Sequence, residues 1–382
     1  MNNPIISYNN IISSLGFDSA TVVDKISKKE SGLEKIIDQD ILDRPFYSSM
    51  IDLGLLESSY SKLGTRQKHT KLEKMMLASL SDTLKSFEHP LNERVGLIVS
   101  TTKGNIDALD PNSPFNENRA YLNELAAQLK NFFQFETEPI VLSNACVSGV
   151  LAISVAKRLI KQDKFDHVFV VAGDLVTQFI ISGFNAFQAL SDLPCRPYCQ
   201  TRSGINIGEV AASVLVTNDH SLGVEESVIV MGDASCNDAN HISGPSRTGE
   251  GLHRSIESAM KEAAISANQV DYISAHGTAT PYNDEMESIA FNRSGLREVP
   301  LNSLKGYFGH TLGASGLLET IVGMHSLKNN TLYASLGFQE MGVSRPLNII
   351  KDTTEKPLNI FLKTASGFGG SNTAVLFKKL NS

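Results

Sequence analysis

The chain has 382 residues, 41% hydrophobic and 20% charged, with a formal net charge of −7 at pH 7. That composition is ordinary for a soluble globular protein with a large core, and its acidic balance speaks against a general nucleic-acid surface. The opening Met-Asn-Asn-Pro-Ile-Ile-Ser lacks the basic and apolar regions of a secretory signal, and no apolar stretch approaches the ~20 residues that span a bilayer. Four cysteines (Cys146, Cys195, Cys199 and Cys236) are too few to make a disulfide framework in a chain of this length. We therefore expect a cytoplasmic protein with no membrane or nucleic-acid partner, in which a free reactive thiol is permissible.

Short β-branched runs at 95–99, 140–142, 168–172, 211–216, 228–231, 272–275, 358–362 and 373–377 read as strands. Segments of helical period cover 71–86, 116–130, 148–161, 251–266 and 314–328. Alternation of this kind predicts an α/β fold, and continuous apolar strands such as 168–172 suit a sheet covered on both faces. The turn-rich stretch 218–225 is the best seam. It divides the chain into halves 1–217 and 218–382. A short echo between 144–153 and 309–318 is consistent with a duplicated half-fold, one catalytic group coming from each half.

Four segments carry candidate chemistry. In Leu142-Ser-Asn-Ala-Cys146-Val-Ser-Gly, a strand runs into a small-residue turn and then an almost wholly apolar helix. Unpaired N–H groups at a helix start favour a thiolate and can hold an oxyanion, so a lowered Cys146 pKa is expected. The segment alone fits a small buried core cysteine equally well. Next, Tyr272-Ile-Ser-Ala-His276-Gly-Thr278-Ala-Thr280-Pro delivers an imidazole at a strand end, with Asp284 and Glu287 placed to pin the loop. In Lys305-Gly-Tyr-Phe-Gly-His310-Thr-Leu-Gly-Ala-Ser-Gly, His310 precedes an apolar helix that contains Glu319. Positive potential at a helix start favours a neutral imidazole, and Lys305 with Glu319 could form a buried ion pair. Last, Gly367-Phe368-Gly369-Gly-Ser-Asn372 is a glycine-rich turn between strands. Each histidine segment also fits a polar structural turn, and the last also fits a plain hairpin.

Together these segments resemble the β-ketoacyl-acyl-carrier-protein synthases of the thiolase superfamily, which carry Cys, His-Gly-Thr-x-Thr-Pro, Lys-x4-His and Gly-Phe-Gly-Gly-x-Asn in that order. The absence of a cysteine after Cys236 separates the chain from thiolases, and His310 makes it a Cys-His-His rather than a Cys-His-Asn enzyme. The resemblance implies a five-layered αβαβα sandwich of two similar halves, with the nucleophile in the first and both histidines in the second. It implies decarboxylative condensation of a Cys146-bound acyl chain with malonyl-carrier protein, in fatty acid or specialised polyketide or polyene lipid synthesis. His276 and His310 would stabilise the enolate, Lys305 and Glu319 would order them, and the Cys146 and Phe368 N–H groups would form the oxyanion hole, with the Phe368 side chain as gate. Thr278, Thr280, Asp284, Glu287, Gly369 and Asn372 would support the site. No cofactor or metal is implied.

Partners implied are acyl- and malonyl-loaded carrier protein and a second copy of the chain, or a related synthase-like subunit in a heterodimer. Arg66, Lys68, Lys71 and Lys74 form a basic cluster suited to an acidic carrier. A non-elongating partner subunit is the alternative function, and Cys146 argues against it. Tyr282-Asn283, Ser203 and Val210 depart from the family pattern and put the substrate class in question. Two other readings are weaker. The spacing Gly309-x3-Gly313-x2-Gly316 matches no nucleotide fingerprint, and Cys195, Cys199, Cys236 and His241 have poor spacing for zinc.

Overall fold

The computed structural model describes residues 3–238 and 244–380. Ten strands form the central sheet system. The first five are β1 (Ile5–Ser13), β2 (Val95–Ser100), β3 (Ile140–Leu142), β4 (His167–Asp174) and β5 (Val210–Thr217). The second five are β6 (Val228–Asn237), β7 (Tyr272–Ser274), β8 (Leu301–Asn302), β9 (Ile360–Gly367) and β10 (Ser371–Lys379). The first set lies in the order β1-β5-β4-β2-β3 and the second in the order β6-β10-β9-β7-β8, so the two share one topology. Directions repeat too: β5 and β10 run antiparallel to their neighbours, and the remaining contacts within each set are parallel. The sets meet where Ile5 and Ile6 of β1 pair with Ile229 and Val228 of β6.

The helices fall into three layers. On the outer face of the first set lie α1 (Lys71–Leu84) and α2 (Leu122–Phe133); α3 (Ser148–Lys161) follows β3 into the middle. A short helix α4 (Gln178–Ala186) follows β4. On the outer face of the second set lie α5 (Glu250–Ala263) and α6 (Pro281–Arg293), while α7 (Ser315–Asn329) joins α3 between the sheets. Three buried apolar clusters fill the gaps. One holds α3 and α7 between the sheets, one packs α1 and α2 on the first sheet, and one packs α5 and α6 on the second. This is the five-layered αβαβα sandwich.

Local chemistry accounts for the elements. Helix α1 begins with a capping box in which Thr70 and Glu73 exchange side-chain and main-chain hydrogen bonds. Helix α6 begins with Thr280 as N-cap and Pro281 at its first turn. The apolar faces of α7 are buried all round, as a helix between two sheets requires. Gly149 and Gly316 let α3 and α7 touch: a Cβ on Gly149 would lie 2.7 Å from the Gly313 carbonyl, and one on Gly316 would lie 2.7 Å from the Val150 nitrogen.

Three expectations differ in detail. The 116–130 helix is broken at Tyr121, which is extended (φ −69°, ψ 134°), so a 3-10 turn Glu117–Ala120 precedes α2. The strand expected at 358–362 runs instead from Ile360 to Gly367, into the glycine turn. Strand β1 has no counterpart among the runs read from the sequence, because Ser7, Asn9 and Asn10 interrupt its apolar pattern.

Candidate active site

Four chain segments converge beyond the carboxyl ends of β3, β7, β8 and β9, of which β3 and β8 are equivalent strands of the two sets. After β3 the chain turns through Ala145, whose φ of 46° is left-handed, and reaches Cys146 two residues before α3. The turn is stitched by Ser148, whose hydroxyl donates to the Ala145 carbonyl (2.6 Å) and accepts from the Asn144 N–H (2.7 Å). His276 follows β7, His310 follows β8 and precedes α7, and Phe368 lies in the β9–β10 turn. The Cys146 sulfur and ring nitrogens of His276 and His310 lie within 4.8 Å of one another, all buried.

His310 Nε2 is 3.0 Å from Cys146 Sγ, and its Nδ1 is 3.1 Å from the Ser315 hydroxyl, which also contacts Thr311 Oγ1 at 3.0 Å. A hydroxyl can donate or accept, so this pair supports either imidazole tautomer. The His276 ring stands edge-on to His310 with centroids 5.2 Å apart. Burial first, and the positive charge of Lys305 second, hold both imidazoles well below the usual histidine pKa, so both are neutral.

Cys146 departs from expectation. Burial pushes its thiol up to about 11, outweighing the charge of Lys305 and the main chain of Phe368, both of which favour the thiolate. A helix start alone does not make a standing thiolate when the sulfur is this dry. The Phe368 main chain nonetheless faces the sulfur, and a Cβ on Gly367 would lie 3.1 Å from the Cys146 nitrogen. Two N–H groups are thus adjacent beside the nucleophile, the arrangement an oxyanion needs.

Behind the histidines, Lys305 Nζ pairs with Glu319 Oε1 at 2.8 Å, fully buried. Glu287 accepts from the His276 N–H (2.9 Å) and the Gly277 N–H (2.7 Å), and Asp284 accepts from the Thr278 N–H (2.9 Å). These carboxylates, on successive turns of α6, fix the main chain of the histidine loop. Burial raises both, with Asp284 pushed up to about 7. Thr278 and Thr280 share a 2.9 Å hydroxyl contact. Asn372 accepts from Ser366 (2.8 Å) and donates to the Gly370 carbonyl (2.9 Å), closing the glycine turn; Gly369 takes the positive φ (86°) that the turn requires.

A cavity of about 430 Å³ opens onto Cys146, His276 and His310. Phe184, Phe187 and Phe368 roof it, with ring centroids 5.7 Å apart for Phe184–Phe368 and 5.4 Å for Phe187–Phe368. Tyr282, 77% exposed, stands among the lining residues, as does Ser203, which hydrogen-bonds Ser191 at 2.7 Å. Asn283 donates to Glu287 at 2.9 Å, and Val210 is buried at the start of β5.

The basic cluster divides. Arg66 and Lys68 are exposed, but the Lys71 ammonium is bound to both oxygens of the buried Glu209 (2.7 and 2.6 Å) and Lys74 pairs with Glu57. Lys71 is thus held by a buried carboxylate from just before β5, and Lys74 by an exposed one at Glu57. Cys195 donates to the Lys305 carbonyl (2.9 Å) and Cys199 contacts Thr201 (3.4 Å), whereas His241 lies outside the described residues. Sequence reasoning overlooked Asp174, Phe184, Phe187 and Lys363. Asp174, buried at the end of β4, accepts from both Thr102 N–H (2.9 Å) and Ala314 N–H (3.3 Å), tying the first half to the His310 loop. A charged residue ending an apolar strand was the available signal.

Comparison with known proteins agrees with this geometry. Residues 68–221 match the family described as beta-ketoacyl synthase, N-terminal domain, and residues 227–339 match its C-terminal domain. The chain is 29% identical over 317 residues to 3-oxoacyl-acyl-carrier-protein synthase 2 of Vibrio harveyi, covering 75% of this chain and 76% of that protein. It is 32% identical over 251 residues to the synthase of the same name from Rhizobium meliloti, covering 62% and 59%. Among solved structures, a beta-ketoacyl synthase from Burkholderia phymatum superposes with a TM-score of 0.88 at 21% identity, covering both chains in full. The ketosynthase ApeO, solved in complex with its chain length factor ApeC from Xenorhabdus doucetiae, gives 0.86 at 24% identity, over 99% of this chain and 98% of the other. At these identities the structures speak for the fold. Fold, matched domains and the order of the motifs lead to one family: the chain belongs to the β-ketoacyl synthases of the thiolase superfamily.

Proposed function

We propose that this protein catalyses decarboxylative condensation between an acyl group carried on Cys146 and malonyl-acyl-carrier protein, giving β-ketoacyl-acyl-carrier protein. The observation that carries the reading is the contact of Cys146 Sγ with His310 Nε2 at 3.0 Å, with His276 beside both. Cys146 attacks the acyl thioester; its proton passes through His310 to the departing carrier sulfur as the new thioester forms. The Cys146 and Phe368 N–H groups hold the oxyanion. Malonyl-carrier protein then enters, and the neutral imidazoles of His276 and His310 donate to its thioester carbonyl. Carbon dioxide leaves, the enolate carbon attacks the acyl carbonyl, and the Cys146 sulfur departs. No step asks for a cofactor.

Lys305 and Glu319 order the histidines, Asp284 and Glu287 hold the loop with Thr278 and Thr280, and Gly369 and Asn372 shape the turn that carries Phe368, the gate. Exposed Arg66 and Lys68 receive the acidic carrier. The catalytic groups come from two structural halves, 1–217 with the cysteine and 218–382 with the histidines. A second copy of the chain, or a related synthase-like subunit, completes the assembly. Support comes from Phe179 and Phe187, exposed on and just after α4, and from the edge strand β3. Among the described residues no helix is long and apolar enough to cross a membrane, which fits a cytoplasmic setting.

Incubation with acyl-carrier protein should add the acyl mass to Cys146, and Cys146→Ala should abolish the adduct. Replacing His276 with Ala should cut carbon dioxide release by about 10²-fold or more while Cys146 still becomes acylated, and replacing His310 with Ala should cut carbon dioxide release as much and slow acylation too. Normal carbon dioxide release from both variants sinks the assigned roles, and an unmodified Cys146 sinks the function.

A further inference from the structure

Lys363 is fully buried in β9, where it follows the apolar Ile360, Phe361 and Leu362. An ammonium in such a place needs partners, and it has several. Its Nζ lies 2.7 Å from Glu319 Oε2, on the carboxylate oxygen that Lys305 leaves free. It also donates to the carbonyls of Ser274 (3.0 Å), Ala275 (3.3 Å) and Thr364 (2.7 Å). Ala275 immediately precedes His276, Lys305 begins the segment that ends in His310, and β9 itself leads into Gly367 and Phe368. One side chain therefore touches the strand end that delivers His276 and, through the shared Glu319, is linked to Lys305.

The charge count is as informative as the geometry. Lys305 and Lys363 share a single carboxylate, so the buried triad carries one excess positive charge if all three groups are ionised. The ionisable groups that act on Lys363 are Glu319 of α7, Lys305 and, across from α6, Glu287. Burial lowers the Lys363 pKa while Glu319 and Glu287 oppose that effect. In turn Lys363 is among the charges that lower the pKa of His276.

We propose that Lys363 is a positioning residue of this site: through Glu319 and the Ser274–Ala275 carbonyls it locks the His276 loop, and it adds a second buried cation, beside Lys305, behind that imidazole. The kinetic side of this proposal rests on the condensing function above, while the titration of His276 does not.

The test is an NMR pH titration of histidine-labelled protein, with the His276 resonance assigned by its loss in His276→Gln, alongside the pH profile of carbon dioxide release. In Lys363→Met, removal of a nearby cation favours imidazolium, so the His276 pKa should rise. The acid limb of the profile should move up with it. Lys363→Arg should return both towards wild type. Lys363→Gln can still donate to the Ser274 and Ala275 carbonyls without charge, so it carries the test if Lys363→Met does not fold. A His276 titration unchanged in a folded, uncharged variant overturns the proposal, whatever the rate does. Absence of carbon dioxide release from the wild-type protein would instead count against the condensing function.

Discussion

Cys146 sits under opposing influences. Nearby N–H groups, the charge of Lys305 and the Phe368 main chain favour the thiolate, while burial favours the thiol and prevails, at about 11. The thiol form then dominates at pH 7, and in the proposed reaction the nucleophile forms as His310 takes the proton. Alkylation of Cys146 by iodoacetamide, followed on its peptide by mass spectrometry, should therefore rise about tenfold per pH unit from pH 7 to 9. A plateau below pH 8 would show a standing thiolate and contradict this balance. The high pKa suits a residue that must act only when a thioester lies against it.

Helices α3 and α7 set the distance between the two halves of the chemistry, because Cys146 stands just before one and His310 just before the other. Gly149 and Gly316 are where they touch. Gly316→Ala would push a methyl against the Val150 main chain, an overpacking that costs about 1–3 kcal/mol. A melting temperature lowered by a few degrees is expected, together with a disproportionate loss of condensation, since the Sγ–Nε2 contact would open. A stable, fully active Gly316→Ala would mean the helices can part without cost. At this scale the partner backbone that each glycine meets was not readable in the sequence. Of Gly309, Gly313 and Gly316 it is Gly316 that serves the helix contact, against Val150, while Gly309 takes a positive φ (66°) against Asn206 and Ile207.

The whole molecule is two similar halves joined along β1 and β6, and the cavity opens where groups from both halves meet. Docking of an acidic carrier protein belongs to this scale, through long-range charge. With Arg66→Glu and Lys68→Glu combined, KM for carrier-borne substrate should rise about tenfold at low salt and the difference should shrink as salt is added. Turnover at saturation should hold. Lys71→Ala should behave otherwise: it strands the buried Glu209 and should lower stability by about 3–5 kcal/mol, measured by denaturant unfolding. If Lys71→Ala instead leaves stability intact and weakens carrier binding, the division of the basic cluster is wrong.

Local order is what the sequence alone determined. Strand and helix periods gave the α/β class, and short motifs named Cys146, His276, His310, Lys305, Glu319 and Phe368, because their neighbours along the chain are also their structural supports. Asp284 and Glu287 were readable for the same reason, lying on successive turns of one helix that faces the loop they hold. Distance in sequence hid the rest. Glu209 reaches Lys71 across 138 positions, Asp174 reaches Ala314 across 140, and Lys363 finds Ser274 across 89. The pKa of Cys146 depends on water being excluded by many elements at once, a quantity no local pattern encodes. Tertiary structure decided which charges are spent on one another, and so which remain to act on substrate.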